Sequence, residues 1–212
     1  MESTETTPYR MIRAAHTGTT VTVYQAYRPG IGDHAARHGR FPESWSRSRM
    51  TWIKPSFLWM MYRSGWGRKE GQERVLALEI TRDGFDSALR EACLSHFDRS
   101  VYPDRETWAE RVRSTQVRVQ WDPERDLSLR ALPYRSLQLG LTGRTTRDYA
   151  DHWIVRIRDV TALAHRVQEL VRSGDREAAA ALLPEERAYP LDAATAAVIG
   201  ATTRLSGRPA PR

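Results

Sequence analysis

The segment from Arg49 to Trp66 concentrates side chains that suit the binding of a charged, planar molecule. It places three tryptophans, one tyrosine, two arginines and one lysine within eighteen residues. Indole rings give walls on which a planar ring stacks, and cations hold phosphate oxygens, so a nucleotide or a nucleic-acid base fits this combination. The competing interpretation is structural, with Trp52, Phe57 and Met61 in the core and the basic residues at its rim.

Lys54 is the most unusual residue of this segment. Only two of the 33 basic residues are lysines, Lys54 and Lys69. A bias in codon composition explains this excess of arginine as well as selection for a basic surface does. The formal charge of +7 still favours a phosphate-bearing partner. A ligase-like nucleotidyltransferase with Lys54 as its nucleophile is another interpretation. It ranks third, because ligases need Lys-x-Asp-Gly and this chain has Lys54-Pro-Ser-Phe.

Two later clusters carry polar groups at predicted strand ends, where loops commonly present chemistry. Residues 120–125 supply an amide, an indole and the carboxylates of Asp122 and Glu124, and residues 134–138 supply an arginine, hydroxyls and an amide. The alternatives are an ordinary turn capped by Asp122 and an exposed sheet edge. Both clusters are therefore candidates to complete a site with the Arg49 to Trp66 segment.

The motifs of several common enzyme classes are missing from the sequence. It contains no phosphate-loop pattern, no Gly-x-Gly-x-x-Gly after a strand and no Gly-x-Ser-x-Gly, and its single cysteine cannot form an internal disulfide. His34 and His38 have the spacing of two ligands on one helical face, but Ala35 stands where a metalloprotease has glutamate. We therefore predict no metal site.

Length and composition indicate one α+β domain. A chain of 212 residues with 40% hydrophobic content suffices for one core and is short for two. We predict a single domain over residues 9–203, with flexible tails at 1–8 and 204–212. No apolar run is long enough to span a membrane, and the N-terminus is polar and acidic, so we expect a cytoplasmic protein without a membrane partner.

Hydrophobic periodicity predicts strands that alternate with helices along the chain. Strands are expected at 20–27, 75–80, 115–121, 137–141 and 152–158, with residues 49–53 extended. Asp122-Pro123 is expected to stop the third of these strands. Helices are expected at 33–38, at 57–62 after a Ser56 N-cap, from Asp83-Gly84 through Cys93 and Phe97, at 159–171, and in pieces after Asp175.

The segments just described resemble an uncharacterised family called domain of unknown function 4291. The resemblance covers about residues 9–165 and rests on four stretches, namely 24–27, 49–66, 119–125 and 135–138. This family is distantly similar to the ADP-ribosyltransferase fold. The resemblance therefore implies a single compact α+β domain whose mixed or antiparallel split sheet is flanked by helices.

An ADP-ribosyltransferase-like fold implies a site that uses NAD as a substrate. Cations and hydroxyls would hold the diphosphate and ribose, aromatic rings would stack on nicotinamide, and a carboxylate would stabilise the charge that develops as the glycosidic bond breaks. The catalytic residues implied are Lys54, Asp122 and Glu124. The binding residues implied are Tyr24, Gln25, Arg49, Trp52, Ser56, Arg63, Trp121, Arg135 and Gln138.

The sequence departs from the usual transferase pattern at two points. Its first strand has Tyr24-Gln25 where a histidine or arginine is common, and no Glu-x-Glu motif follows. An NAD-dependent ADP-ribosyltransferase acting on nucleic acid is the leading hypothesis, and a non-catalytic nucleic-acid-binding module is the alternative. A transferase needs the polar groups to converge in one concave pocket with a carboxylate, whereas a binding module spreads them along an open groove.

Overall fold

A computed structural model describes residues 7–202 as strands and helices in mixed order. The strands are β1 (Arg13–Ala14), β2 (Thr20–Tyr27), β3 (Thr51–Ile53), β4 (Arg74–Thr81), β5 (Cys93–Leu94), β6 (Val117–Arg125), β7 (Ala131–Leu141), β8 (Ile154–Asp159) and β9 (Arg187–Ala188). The helices are α1 (Pro29–His38), α2 (Phe57–Ser64), α3 (Arg82–Glu91), α4 (Arg105–Ser114), α5 (Gly143–Asp148), α6 (Thr161–Ser173), α7 (Arg176–Ala181) and α8 (Ala193–Ile199). A π-helical turn, Tyr149–Trp153, joins α5 to β8.

The strands form two larger sheets and one short pair. One sheet is antiparallel with the order β2-β4-β8, and the other has the order β3-β7-β6-β5, in which β5 alone runs parallel to its neighbour. The third pair joins β1 to β9. The larger sheets meet where the backbone N–H of Tyr24 donates to the carbonyl of Lys54 at 2.7 Å. These antiparallel and mixed sheets with their helices confirm the predicted α+β class.

Apolar side chains from both larger sheets pack into one shared cluster. Val21 and Leu78 enter it from the first sheet, and Val119 and Leu139 enter it from the second. A second cluster packs α2 against the first sheet and α6, with Met61 of α2 fully buried. The position of α2 is therefore fixed by hydrophobic burial on its inner face.

Local sequence explains where α2 begins and ends. The Ser56 hydroxyl accepts a hydrogen bond from the backbone N–H of Trp59 at 3.2 Å, which caps the first turn. Gly65 adopts the left-handed conformation at φ 58° and donates its N–H to the carbonyl of Met61. The predicted N-cap at Ser56 is confirmed, and the helix runs to Ser64 rather than Tyr62.

Two predicted boundaries are wrong. The helix expected to continue from Asp83-Gly84 through Phe97 ends at Glu91, because Cys93 pairs with Arg118 as part of β5. The strand expected to stop at Asp122-Pro123 continues to Arg125, with an irregular register between Pro123 and Arg125. Among residues 7–202 no strand other than the short β5 pairs with this side of β6, so a proline without an N–H is tolerated there.

Other elements differ from the sequence expectations in extent. Strand β7 begins at Ala131 instead of Leu137, and β8 begins at Ile154 because the two residues before it complete the π-helical turn. Strands β1 and β9 and helix α4 were not expected, and α4 buries no residue fully, although Trp108 and Val112 pack partly against the core. The predicted tails lie almost entirely outside residues 7–202. No helix in that range has both the length and the apolar character to cross a membrane.

Candidate functional site

A cleft of about 830 Å³ opens beside the junction of the two larger sheets. Its lining includes four cations, three indoles, four amides and one carboxylate. These residues are Arg28, Arg49, Lys54, Arg63, Trp45, Trp52, Trp59, Gln25, Gln72, Gln120, Gln138 and Asp122. Segments distant in sequence thus deliver complementary side chains to one concave space.

Lys54 lies inside the cleft as a buried amine. Only 6% of the residue is exposed, and its Nζ is 5.2 Å from the centroid of the Trp59 ring. Within residues 7–202 no carboxylate comes within 4.0 Å of Nζ to form an ion pair. Burial, followed by the charge of Arg63, lowers the pKa of Lys54 to about 7, although Asp122 acts in the opposite direction. The amine is therefore partly neutral near neutral pH.

Asp122 presents a carboxylate held by two amide groups. Gln120 Nε2 donates to one of its oxygens at 3.1 Å, and Gln138 Nε2 donates to the other. Gln120 and Gln138 lie opposite one another across β6 and β7, and Asp122 lies opposite Ser136, so their side chains share one face of the sheet. These donors fix the orientation of the carboxylate at the cleft.

Gln25 lines the cleft but uses its amide inside the protein. Its Nε2 donates to Thr51 Oγ1 at 2.8 Å and to the carbonyl of Trp52 at 3.1 Å, while its Oε1 accepts from Tyr149 OH at 2.6 Å. These bonds connect β2 to β3 and to the π-helical turn. Gln25 therefore positions the strand that leads to Lys54.

The indoles of the cleft are held in different ways. Trp45 stacks on Phe41 with ring centroids 4.4 Å apart, and its Nε1 donates to Tyr27 OH at 3.1 Å. Trp52 lies over Gly140, where an added Cβ would come within 3.0 Å of the indole, so glycine permits the close approach. Trp59 is 5% exposed, and its Nε1 has no hydrogen-bond partner in the described part of the chain. Unpaired buried donors are uncommon in folded proteins.

Arginines stand at the mouth of the cleft. Arg49 and Arg63 were expected to bind the cofactor, and both are exposed residues that line the cleft. Arg28 joins them from the end of β2. Exposed guanidinium groups around an opening attract an anionic ligand and hold phosphate oxygens.

Five of the expected site residues lie outside the lining of the cleft. Tyr24 is buried in the second apolar cluster, and Trp121 turns away to donate its Nε1 to the carbonyl of Ile199 at 2.7 Å. Arg135 donates to Tyr9 OH at 2.9 Å. Ser56 and Glu124 contact each other behind Lys54. Strand alternation explains Trp121 and Arg135, whose positions face away from Asp122.

A buried carboxyl pair, Glu124 and Glu186, lies at the start of α2. Ser56 Oγ donates to Glu124 Oε1 at 2.8 Å, and the backbone N–H of Phe57 donates to Glu186 Oε1 at 2.6 Å. Burial raises the pKa of Glu124, and burial together with the charge of Glu124 raises the pKa of Glu186 to about 8. Glu186 as a whole residue is half-buried. Its carboxyl is the buried part, because it accepts the hydrogen bond from the Phe57 N–H. Arg13 lowers both pKa values and offsets part of this cost.

Sequence reasoning missed several residues of this region. Glu186 reaches the start of α2 from the C-terminal segment, and no local pattern reveals that contact. Trp45 lies in a serine-rich loop. The one signal for its burial was Phe41, an aromatic residue four positions earlier. Gln120 belonged to a recognised cluster but received no role. Its position across from Gln138 supplies one.

The fold and the cleft together define an α+β protein with two sheets and a basic, aromatic site beside their junction. The family model described as Domain of unknown function (DUF4291) matches residues 11–189. The chain therefore belongs to this family. No curated protein matches the chain.

Proposed function

We propose that the protein binds NAD in this cleft and transfers its ADP-ribosyl group to an acceptor. The observation that carries the proposal is the convergence of cations, indoles and one oriented carboxylate, Asp122, in a single concave space. An open groove would favour the alternative of a non-catalytic nucleic-acid-binding module. The volume of about 830 Å³ lies within the range of about 300–1,000 Å³ that small-molecule and cofactor sites occupy.

The charged and the aromatic residues of the lining suit different parts of NAD. The exposed guanidinium groups of Arg49 and Arg63 would hold the diphosphate at the mouth. The indoles of Trp52 and Trp59 would contact the planar rings. Binding of this kind orients the glycosidic bond toward Asp122.

The transfer step uses Asp122 and Lys54. The bond between ribose C1′ and the nicotinamide ring nitrogen breaks, and its electron pair leaves with nicotinamide. The Asp122 carboxylate stabilises the positive charge that develops on the ribose. The nucleophilic atom of the acceptor forms the new bond to C1′, and its proton passes to the neutral amine of Lys54. The pKa of Lys54, lowered to about 7, leaves part of the amine free to accept that proton.

Calorimetric titration of NAD, followed by mass analysis of released nicotinamide, tests the proposal. We expect binding to the wild-type protein and about tenfold or greater weakening in Arg49→Ala, which removes a cation, and in Lys54→Ala, which removes a partly charged amine from the cleft. The matched control is Lys69→Ala, which removes the other lysine from an exposed position outside the cleft and should bind NAD like the wild type. Absence of both heat and nicotinamide with the wild-type protein would contradict the proposal.

A further inference from the structure

A line of cationic and aromatic side chains leads from the cleft to the surface. Lys54 Nζ lies 5.2 Å from the Trp59 ring centroid, and the Trp59 and Tyr62 rings are edge-to-face at 6.4 Å. The guanidinium carbon of Arg125 lies 3.5 Å from the Tyr62 ring centroid. Lys54 and Trp59 are buried, whereas Tyr62 is 46% exposed. Side-chain contacts thus link Lys54, inside the cleft, to the exposed ring of Tyr62 and the half-buried Arg125.

The backbone around Arg125 holds this pair in place. The N–H of Arg125 donates to Glu124 Oε1 at 2.8 Å, and its Nη1 donates to the carbonyl of Leu129 at 3.4 Å. Leu129 has φ 60°, a left-handed conformation that costs a leucine energy. The turn between β6 and β7 therefore keeps a strained residue in the conformation that directs its carbonyl to the guanidinium above Tyr62.

An exposed ring stacked with a guanidinium group suits a nucleobase. Bases of single-stranded nucleic acids stack on aromatic rings and on arginine planes, while nearby arginines contact phosphate. Arg63 follows Tyr62 directly and lines the cleft, and the chain carries a formal charge of +7. A protein acceptor with an acidic patch would complement the positive charge, but it would have no planar base to stack on the exposed tyrosine.

We infer that the acceptor of the ADP-ribosyl group is a single-stranded nucleic acid, one base of which stacks on the Tyr62–Arg125 pair. The inference rests on the proposed function, because it names the acceptor for that same cleft. With one base held there, a neighbouring nucleotide enters beside Trp59. A nitrogen of that base forms the bond to ribose C1′ as nicotinamide leaves with the electron pair, and the acceptor proton passes to Lys54.

The protein contains a matched control for this pair. Tyr9 is 37% exposed, and the guanidinium carbon of Arg135 lies 5.5 Å from its ring centroid. Arg135 is paired with Pro123 and therefore faces away from the side of the sheet that carries Asp122 and Ser136. Tyr9 and the half-buried Arg135 thus form a second tyrosine–arginine pair, outside the cleft.

Fluorescence anisotropy with a labelled single-stranded DNA oligonucleotide of mixed sequence tests the stacking, and RNA of the same sequence forms a second arm. We expect Tyr62→Ala to raise the Kd about 5- to 100-fold, since stacking contributes that much per base. Arg125→Lys, which keeps the charge and loses the plane, should raise it less. Tyr9→Ala should change the Kd less than twofold. Equal losses in Tyr62→Ala and Tyr9→Ala, or no binding by the wild type, would overturn the inference.

Incubation of the wild-type protein with NAD and the oligonucleotide tests the acceptor role. We expect the oligonucleotide to gain the mass of one ADP-ribosyl group, and addition of this group to protein alone would overturn the inference. Nicotinamide release without Tyr62-dependent oligonucleotide binding would overturn the acceptor and leave the proposed function standing. Oligonucleotide binding by a protein that neither binds nor cleaves NAD would overturn both.

Discussion

Two carboxylates lie two residues apart on β6 and meet different surroundings. Asp122 lines the cleft between two amide donors, whereas Glu124 is buried with Glu186 behind Ser56. The irregular register between Pro123 and Arg125 separates them. Open space and fixed donors make Asp122 available to a ligand, while burial raises the pKa of Glu124 and gives it a structural role. Proximity in sequence therefore does not assign two acidic residues to one site.

The largest effect expected from this comparison is on catalysis. Asp122→Asn removes the charge that stabilises the developing cation, so we expect nicotinamide release to fall by about 10²- to 10³-fold with little change in NAD affinity. Glu124→Gln keeps an oxygen that accepts from Ser56 and should lower release less than fivefold. Rates and titrations for the two variants measure the difference. A larger loss in Glu124→Gln would reverse the assignment of the two carboxylates.

The second effect concerns the stability cost of the amine in the cleft. The pKa of Lys54 is lowered to about 7, so the unfolded chain holds the proton more tightly and the free energy of unfolding rises between pH 7 and about 10.5. Below pH 7 the full cost of burying the charge is present. Lys54→Met should therefore raise the free energy of unfolding by on the order of 3 kcal/mol at pH 6, and by much less at pH 10. Urea denaturation of this variant and of Lys69→Met, which should show no such gain, provides the check.

The third and smallest effect concerns the buried carboxyl pair. The pKa of Glu186 is raised to about 8, so the folded state holds the proton more tightly and the free energy of unfolding falls as the pH rises from about 4.5 to 8. Glu186→Gln keeps an oxygen for the Phe57 N–H and removes the ionisation. We expect a gain of on the order of 2 kcal/mol at pH 8.5 and none at pH 4. Thermal unfolding across this pH range measures it, and parallel curves for variant and wild type would contradict it.

Local patterns were sufficient for the elements that bear on Lys54. Alternating β-branched and aromatic residues predicted β2, and the sequence Pro55-Ser56 before an apolar run predicted the start of α2. The rarity of lysine marked Lys54, which lies in the cleft. These features depend on neighbours in sequence, so a single chain reveals them.

Features set by distant contacts were beyond sequence reasoning. Proline at position 123 indicates the end of a strand, so the sequence placed Trp121 and Glu124 at a strand end that could carry the site. Strand β7 instead pairs with β6 past that point. Cys93 continues the apolar period of α3, yet β5 forms because β6 accepts it as a neighbour. In each case pairing between strands overrode the local preference.

The contact between Glu186 and the first turn of α2 also has a consequence for protein synthesis. A domain generally folds as a unit, and its residues leave the ribosome in order from the N-terminus. The Phe57 N–H must wait for Glu186, and β1 must wait for β9, so the support behind Lys54 is completed only when most of the chain has been translated. A nascent chain therefore carries an unfinished cleft, and a messenger that ends before codon 186 would yield a product without this support.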